Sequence, residues 1–181
     1  MNGDLNIALC CDDRFAIPCL TCIVSIFEKN RAHRCNIYVI TTGIKECNNR
    51  KFENLAIIYH QNIQIKTISS VLYDGLPYLK RYTYATYNRF LIPSLIKESK
   101  LLFLDCDIIV KKDLSNIWET DITGFACAAV EDQRNDDVRN HNRVLTDTDF
   151  FNAGMMLMNL EYWRDNHVSE KAIQWLKDYP E

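Results

Sequence analysis

The chain's patterning predicts an α/β fold with a mainly parallel sheet flanked by helices, and three observations carry that expectation. Short, nearly continuous apolar runs such as LNIALCC (5–11) have the length and composition of strands buried on both faces. Segments with apolar residues at helical spacing separate these runs, the alternation that builds a parallel sheet. Acidic residues follow two of the strands, Asp12 and Asp13 after the first and Asp105 and Asp107 at the end of the fourth. Ligands bind at the carboxyl ends of strands in such sheets. The pattern therefore predicts one site on which acids from separate strands converge.

The elements follow in order. After the first strand, FAIPCLTCIVSIFEKN places Ile17, Leu20, Ile23, Val24 and Phe27 at helical spacing, and Pro18 is tolerated in a helix's first turn. CNIYVITT (35–42) reads as the second strand with Gly43 at its exit, and KECNNRKFENLAIIY as a polar-faced helix. NIQIKTI (62–68) alternates with period two as a third strand. The segment 79–96 is expected to be helical up to Leu91, with Pro93 interrupting it. The strand carrying Asp105 comes next, then a short helix that Asp113 caps. GFACAAVED (124–132) is expected to be another buried strand, 134–149 a polar loop, FFNAGMMLMNL (150–160) a strand, and the following segment one closing amphipathic helix. No repeat or linker divides the chain, so 1–181 is expected to be a single domain.

Composition narrows the class. With 181 residues, 48% hydrophobic and 25% charged, the chain has the make-up of a soluble globular protein. A net charge of -3 without a basic block argues against a nucleic-acid partner. No apolar run reaches the roughly 20 residues of a membrane-spanning helix, and the first residues carry no secretion signal. Eight cysteines are many, but Cys10, Cys11, Cys106 and Cys127 sit inside apolar runs, where free cysteine packs as a small hydrophobe. Cys19 and Cys22 form a CLTC pair with no second pair at zinc-site spacing, and read as helix core. Reduced thiols and a cytoplasmic location are expected.

The stretch KLLFLDCDIIVKKDL (100–114) carries the chemistry. Charge inside an apolar run is costly unless paired or coordinated. On an extended strand Asp105 and Asp107 share one face, with Cys106 turned away. Two carboxylates so close repel, and a divalent cation removes the conflict. Hard oxygen ligands suit Mg²⁺ or Mn²⁺, which use one or two protein carboxylates and complete their shell with phosphate and water. Phosphatases of the haloacid-dehalogenase type also use Asp-x-Asp, but theirs lies near the amino terminus with Thr where this chain has Ile109. A nucleotidyltransferase would need a Gly-rich or basic loop near the start, and no glycine lies between Gly3 and Gly43.

Four blocks, NIALCCDDRF, TYATYNRFLIPSLI, KLLFLDCDIIVKKDLSNIWETD and FFNAGMMLMNLEYWR, occur in an order and spacing that resembles the retaining glycosyltransferases of family eight. That family includes bacterial lipopolysaccharide galactosyl- and glucosyltransferases and glycogenin. The resemblance spans nearly the whole chain. It implies a GT-A, Rossmann-like fold with a mixed, mainly parallel sheet, binding UDP-galactose or UDP-glucose. It further implies transfer of the hexose, with retention, to a glycan or lipid-linked acceptor such as a lipopolysaccharide core. Mn²⁺ (or Mg²⁺) would bridge Asp105 and Asp107 to the diphosphate. Asp12 would bond the uracil, Phe15 would stack on it, and Arg89 would reach the sugar or its phosphates. Asn152, Ala153 and Gly154 would line the sugar pocket, with Asp105, Arg89 and Asn152 as the catalytic set. On the residues alone each assignment has a structural counterpart. Asp12 or Asp13 caps the following helix, Arg89 pairs with a structural carboxylate, Asn152 is a turn residue and Gly154 a close-packing residue.

Similar enzymes continue with an acidic, Gln-containing block and a His-x-x-Gly segment whose His is a third metal ligand, and no His-x-x-Gly occurs here. The 181 residues are therefore expected to be the amino-terminal portion of a longer enzyme, whose tail beyond them would carry any peripheral membrane association. The alternative expectation is a domain that binds UDP-sugar with weak turnover or none.

Overall fold

The structure, a computed structural model, describes residues 4–69, 76, 84–132 and 151–179. Six strands, β1 (Leu5–Cys10), β2 (Cys35–Thr41), β3 (Asn62–Thr67), β4 (Lys100–Asp105), β5 (Cys127–Glu131) and β6 (Phe151–Asn159), form one sheet. Their order is β3-β2-β1-β4-β6-β5. β3, β2, β1 and β4 run parallel, whereas β6 is antiparallel to both β4 and β5. The sheet is thus mixed and flanked by helices, as expected.

Period-two alternation distributes the strand side chains over two cores. Leu5, Ile7 and Leu9 of β1 and Leu102 and Leu104 of β4 face one side. There they meet α1 (Ala16–Lys29) and α2 (Glu46–Tyr59) through Ile23, Ile26, Phe27 and Phe52. Leu101 and Phe103 face the other side and pack with Tyr87, Ile92, Met156 and Trp163. Cys19 and Cys22 lie in the first core, and all eight cysteines are free. The buried face of α1 runs through Ala16, Cys19, Cys22, Ile23, Ile26 and Phe27. Ile17 is exposed, so the small cysteines, and not every apolar residue at helical spacing, mark the face that packs closest to the sheet.

Five expectations need correction. Residues Tyr84–Leu91 form 3₁₀ turns, and Pro93 sits in the first turn of α3 (Ile92–Leu95) and does not interrupt a helix. A proline lacking an N–H is at home at that position. β5 is an edge strand with its last three residues exposed, not a buried one. The closing helix is two helices, α5 (Leu160–Asp165) and α6 (Val168–Asp178), broken where His167 takes a left-handed conformation (φ 52°). The strand expected to carry both Asp105 and Asp107 ends at Asp105, and Ile109 beyond it is 55% exposed. The polar loop expected at 134–149 and residues 79–83 of the expected helix lie outside the described residues. The N-cap of α4 (Ser115–Trp118) is Leu114, which offers no side-chain cap, and Asp113 stands one residue before it, its Oδ1 accepting the Ser115 N–H at 2.8 Å. No helix among the described residues is long and apolar enough to cross a membrane.

Asp13 links the end of β1 to the start of α2. Its Oδ1 accepts from the Lys45 N–H at 2.8 Å and from Asn48 Nδ2 at 2.9 Å, tying the N-cap residue and a first-turn side chain of α2 to the exit of β1. The Lys45 backbone bond, followed by the Asn48 bond, holds the Asp13 carboxyl below its ordinary value of 3.8. A carboxylate whose native pKa is depressed adds stability above its unfolded value and loses it as pH falls through the native one. Asp13→Ala should therefore lower the melting temperature at pH 7. The gap from wild type should close in acid below 3.8, and a gap that stays constant with pH would contradict the role of the charged carboxylate.

Candidate active site

The carboxyl edge of the parallel strands gathers the predicted residues. Cys10 of β1 pairs with Asp105 of β4, so Asp12 and the aspartate pair leave adjacent strands at the same end. β5 runs in the same direction as β4, which brings its terminal Glu131 and the following Asp132 to this edge. β6 enters from it, delivering Asn152, Ala153 and Gly154. A cleft of about 550 Å³ lies here, lined by Ile108, Val130, Glu131, Asp132, Asn152 and Gly154 with Met155.

Asp105 is the node. By alternation it lies on the same face as Phe103, and Arg89 comes over that face with its guanidinium carbon 4.7 Å from the Phe103 ring centroid. Arg89 Nη2 donates to Asp105 Oδ1 at 3.3 Å, Nη1 to the Ala153 carbonyl at 2.7 Å, and Nε to the Thr86 carbonyl at 3.0 Å. Its side chain is only 13% exposed, against 43% for Asp105. One cation thereby joins the 3₁₀ segment, β4 and β6. Burial raises the Asp105 carboxyl above its ordinary value; Arg89 opposes that shift and the neighbouring Asp107 adds to it.

The other side of Asp105 is closed by Gly154. The last ladder pair of β4 and β6 is Leu104 with Met155, so one step further Asp105 meets Gly154. A Cβ on Gly154 would stand 2.7 Å from Asp105 Oδ2 and 2.9 Å from Asn152 Oδ1. Only glycine leaves that space. Asn152 Oδ1 accepts the Gly154 N–H at 2.8 Å, an Asx-type turn. β6 advances from Met156 to Asn152 while β5 advances only from Ala129 to Val130. This irregularity swings 153–155 out of the β5 ladder and presents the Ala153 carbonyl to Arg89.

Other site residues sit less centrally. Asp12 Oδ1 accepts from the Arg14 and Phe15 N–H groups at 2.9 and 3.1 Å, capping the 3₁₀ turn that leads into α1. Phe15 is 44% exposed beside it. Asp107 lies beyond the end of β4 and is exposed. The aspartates therefore straddle the strand end, and the shared-face argument for an extended strand does not describe them. Among the described residues no three His, Cys, Asp or Glu side chains form a metal-binding group. Two carboxylate oxygen donors at one strand end still fit Mg²⁺ or Mn²⁺, which need no more from a protein when phosphate and water complete the shell. Phe103, Thr86, Glu131 and Asp132 were missed. Phe103 was legible as the residue two before Asp105, and the VED ending of β5 repeats the acid-after-strand signal of β1 and β4. The Thr86 carbonyl had no sequence signal.

Comparison with solved structures defines the class. Galactosyltransferase LgtC in complex with donor and acceptor sugar analogues matches with a TM-score of 0.85 at 24% identity, covering 97% of this chain and 65% of that one. GlyE of Streptococcus pneumoniae TIGR4 matches at 0.71 with 21% identity, covering 98% of this chain and 40% of that one. The fold is the GT-A α/β fold of glycosyltransferases. The lipopolysaccharide 1,3-galactosyltransferase of Salmonella typhimurium is 31% identical over 180 residues, 96% of this chain and 53% of that protein. General stress protein A of Bacillus subtilis is 29% identical over 98% of this chain and 63% of its own length. The lipopolysaccharide glucosyltransferase WaaO of Escherichia coli is 29% identical over 96% and 53%. The family model of glycosyl transferase family 8 matches residues 6–181, and the chain belongs to that family. It spans between 53% and 63% of the length of these curated relatives.

Two substitutions test the node. Gly154→Ala should push the Asp105 carboxylate aside at a cost of about 1 kcal/mol, the low end for overpacking because the displaced atoms end a side chain. A crystal structure with Asp105 unmoved would contradict the close-approach role. Arg89→Lys replaces a three-way fork by one point charge. It should destabilise the fold by about 1–3 kcal/mol in urea unfolding, since the Ala153 and Thr86 carbonyls cannot both be served.

Proposed function

We propose that this chain is the donor-binding part of a retaining hexosyltransferase that moves galactose or glucose from UDP to a glycan or lipopolysaccharide-type acceptor. The observation that carries the reading is the Arg89–Asp105–Gly154 node at the carboxyl edge of β4, in a chain whose relatives include a lipopolysaccharide galactosyltransferase and a lipopolysaccharide glucosyltransferase.

Each residue then has a task. Asp105 and Asp107 would hold Mn²⁺ or Mg²⁺, which supplies positive charge for the departing diphosphate. Asp12 Oδ1 is committed to the cap, so bonding of the uracil falls to Oδ2, with Phe15 offering its exposed face to the base. Asn152 uses its carbonyl oxygen on Gly154, which assigns its amide N–H groups to sugar hydroxyls, and Gly154 lets the ring approach the backbone beside Ala153. Arg89 keeps Asp105 oriented and adds a fixed positive charge near the phosphates. The acceptor hydroxyl attacks the anomeric carbon on the face from which UDP leaves, so configuration is retained.

A second reading is a domain that holds UDP-sugar without turnover. Hexose transfer or donor hydrolysis by the 181-residue chain eliminates it.

The deciding experiment is calorimetric titration of UDP into the chain with and without Mn²⁺, beside Asp107→Ala. The expected result is binding that strengthens with Mn²⁺ in wild type and loses that gain in the variant. Binding indifferent to Mn²⁺ in both would remove the metal-bridged donor site.

A further inference from the structure

Asp105 ends β4, and residues 106–114, which carry Asp107, form neither helix nor strand before α4 begins. Such a segment has no ladder to fix it, and its backbone hydrogen bonds must be found elsewhere. Two side chains of α1 and that of its C-cap, Asn30, provide several of them. Cys22 Sγ stands 4.0 Å from the Asp105 carbonyl oxygen, to which the thiol donates. The Ile108 backbone is hydrogen-bonded to the same sulfur. Cys22 thus brackets Asp107 from both sides. Ser25 Oγ accepts the Val110 N–H at 2.9 Å and donates to the Cys22 carbonyl at 2.6 Å. Asn30, wholly buried at the end of α1, accepts the Leu114 N–H on Oδ1 at 2.8 Å and donates from Nδ2 to the Ile26 carbonyl at 2.7 Å.

We propose that Cys22, Ser25 and Asn30 are positioning residues that fix Asp107 relative to Asp105, so that α1, which carries none of the proposed donor-binding residues, sets the geometry of the metal-binding pair. The proposal rests on the functional reading above in assigning that pair to a cation. Asp105 is held independently by the Arg89 node, whereas Asp107 lies past the strand with its carboxylate exposed. The α1 contacts are those that fix the backbone around it. A rigid helix behind the loop places the two carboxylates before the cation arrives, as supporting groups behind metal ligands do.

The test uses the 181-residue chain and Ser25→Ala, with Ser25→Thr to restore a hydroxyl and Thr21→Ala as a control. Thr21 is an exposed α1 residue whose hydroxyl bonds only within its own helix. Amide hydrogen exchange over 106–114, melting temperature, and UDP affinity with and without Mn²⁺ are read for each. The expected result for Ser25→Ala is faster exchange centred on Val110 and a Mn²⁺-dependent UDP affinity about tenfold weaker. Its metal-free UDP affinity should match Thr21→Ala, and Ser25→Thr should return both changed readouts. Unchanged exchange, or equal loss of metal-dependent and metal-free affinity, overturns the positioning role. If wild type itself shows no Mn²⁺ effect, the functional reading fails, and the exchange measurement alone upholds or overturns the α1 clamp.

Discussion

Everything at the carboxyl edge depends on how a half-buried Asp105 carboxylate is tolerated. Burial alone raises its pKa and works against the charged form. The protein answers with one guanidinium and one missing side chain. Arg89 donates to Asp105 while holding the Ala153 and Thr86 carbonyls, and it lies over Phe103. Gly154 leaves the gap in which Oδ2 sits. Three segments far apart in sequence are tied by that one charge, so the carboxylate is fixed by its surroundings before any ligand is present.

The sheet explains why these groups meet. The parallel strands put their carboxyl ends on one edge, and the reversed β6 brings its amino end to the same place. A strand running the other way can contribute backbone and a small residue where a parallel neighbour would end. The irregular β5–β6 pairing then frees the Ala153 carbonyl for Arg89. On the opposite face of the sheet, α1 carries small and polar groups among its apolar ones, and these reach the backbone beyond β4. The two faces thus divide the work: one holds Asp105, the other the segment that carries Asp107.

Much of the fold was legible because buried parallel strands leave an unmistakable apolar signature and the helices between them have regular spacing. β1, β2, β3, β4 and β6 fall where the pattern put them. The failures have specific causes. β5 resembles a core strand in composition, but its place at the sheet edge exposes it, and edge position is a property of strand order. Pro93 looked like an interruption because a proline's effect depends on whether a helix starts or continues there. The i, i+2 argument for the aspartates assumed an extended strand that ends at Asp105. The split between α5 and α6 turns on a left-handed His167, a conformation no periodicity announces.

By itself, then, the sequence determined the α/β class, the end of the sheet at which acids collect, and the residues that place the chain in its family. Those are local properties: alternation, apolar runs, and residue types at fixed spacing. Only the tertiary structure decided what each residue touches. Whether Arg89 meets a carboxylate, why position 154 must be glycine, and which helix steadies Asp107 all depend on pairs separated by 16 to 85 residues. Such contacts are set by strand order and register, and no local pattern encodes them.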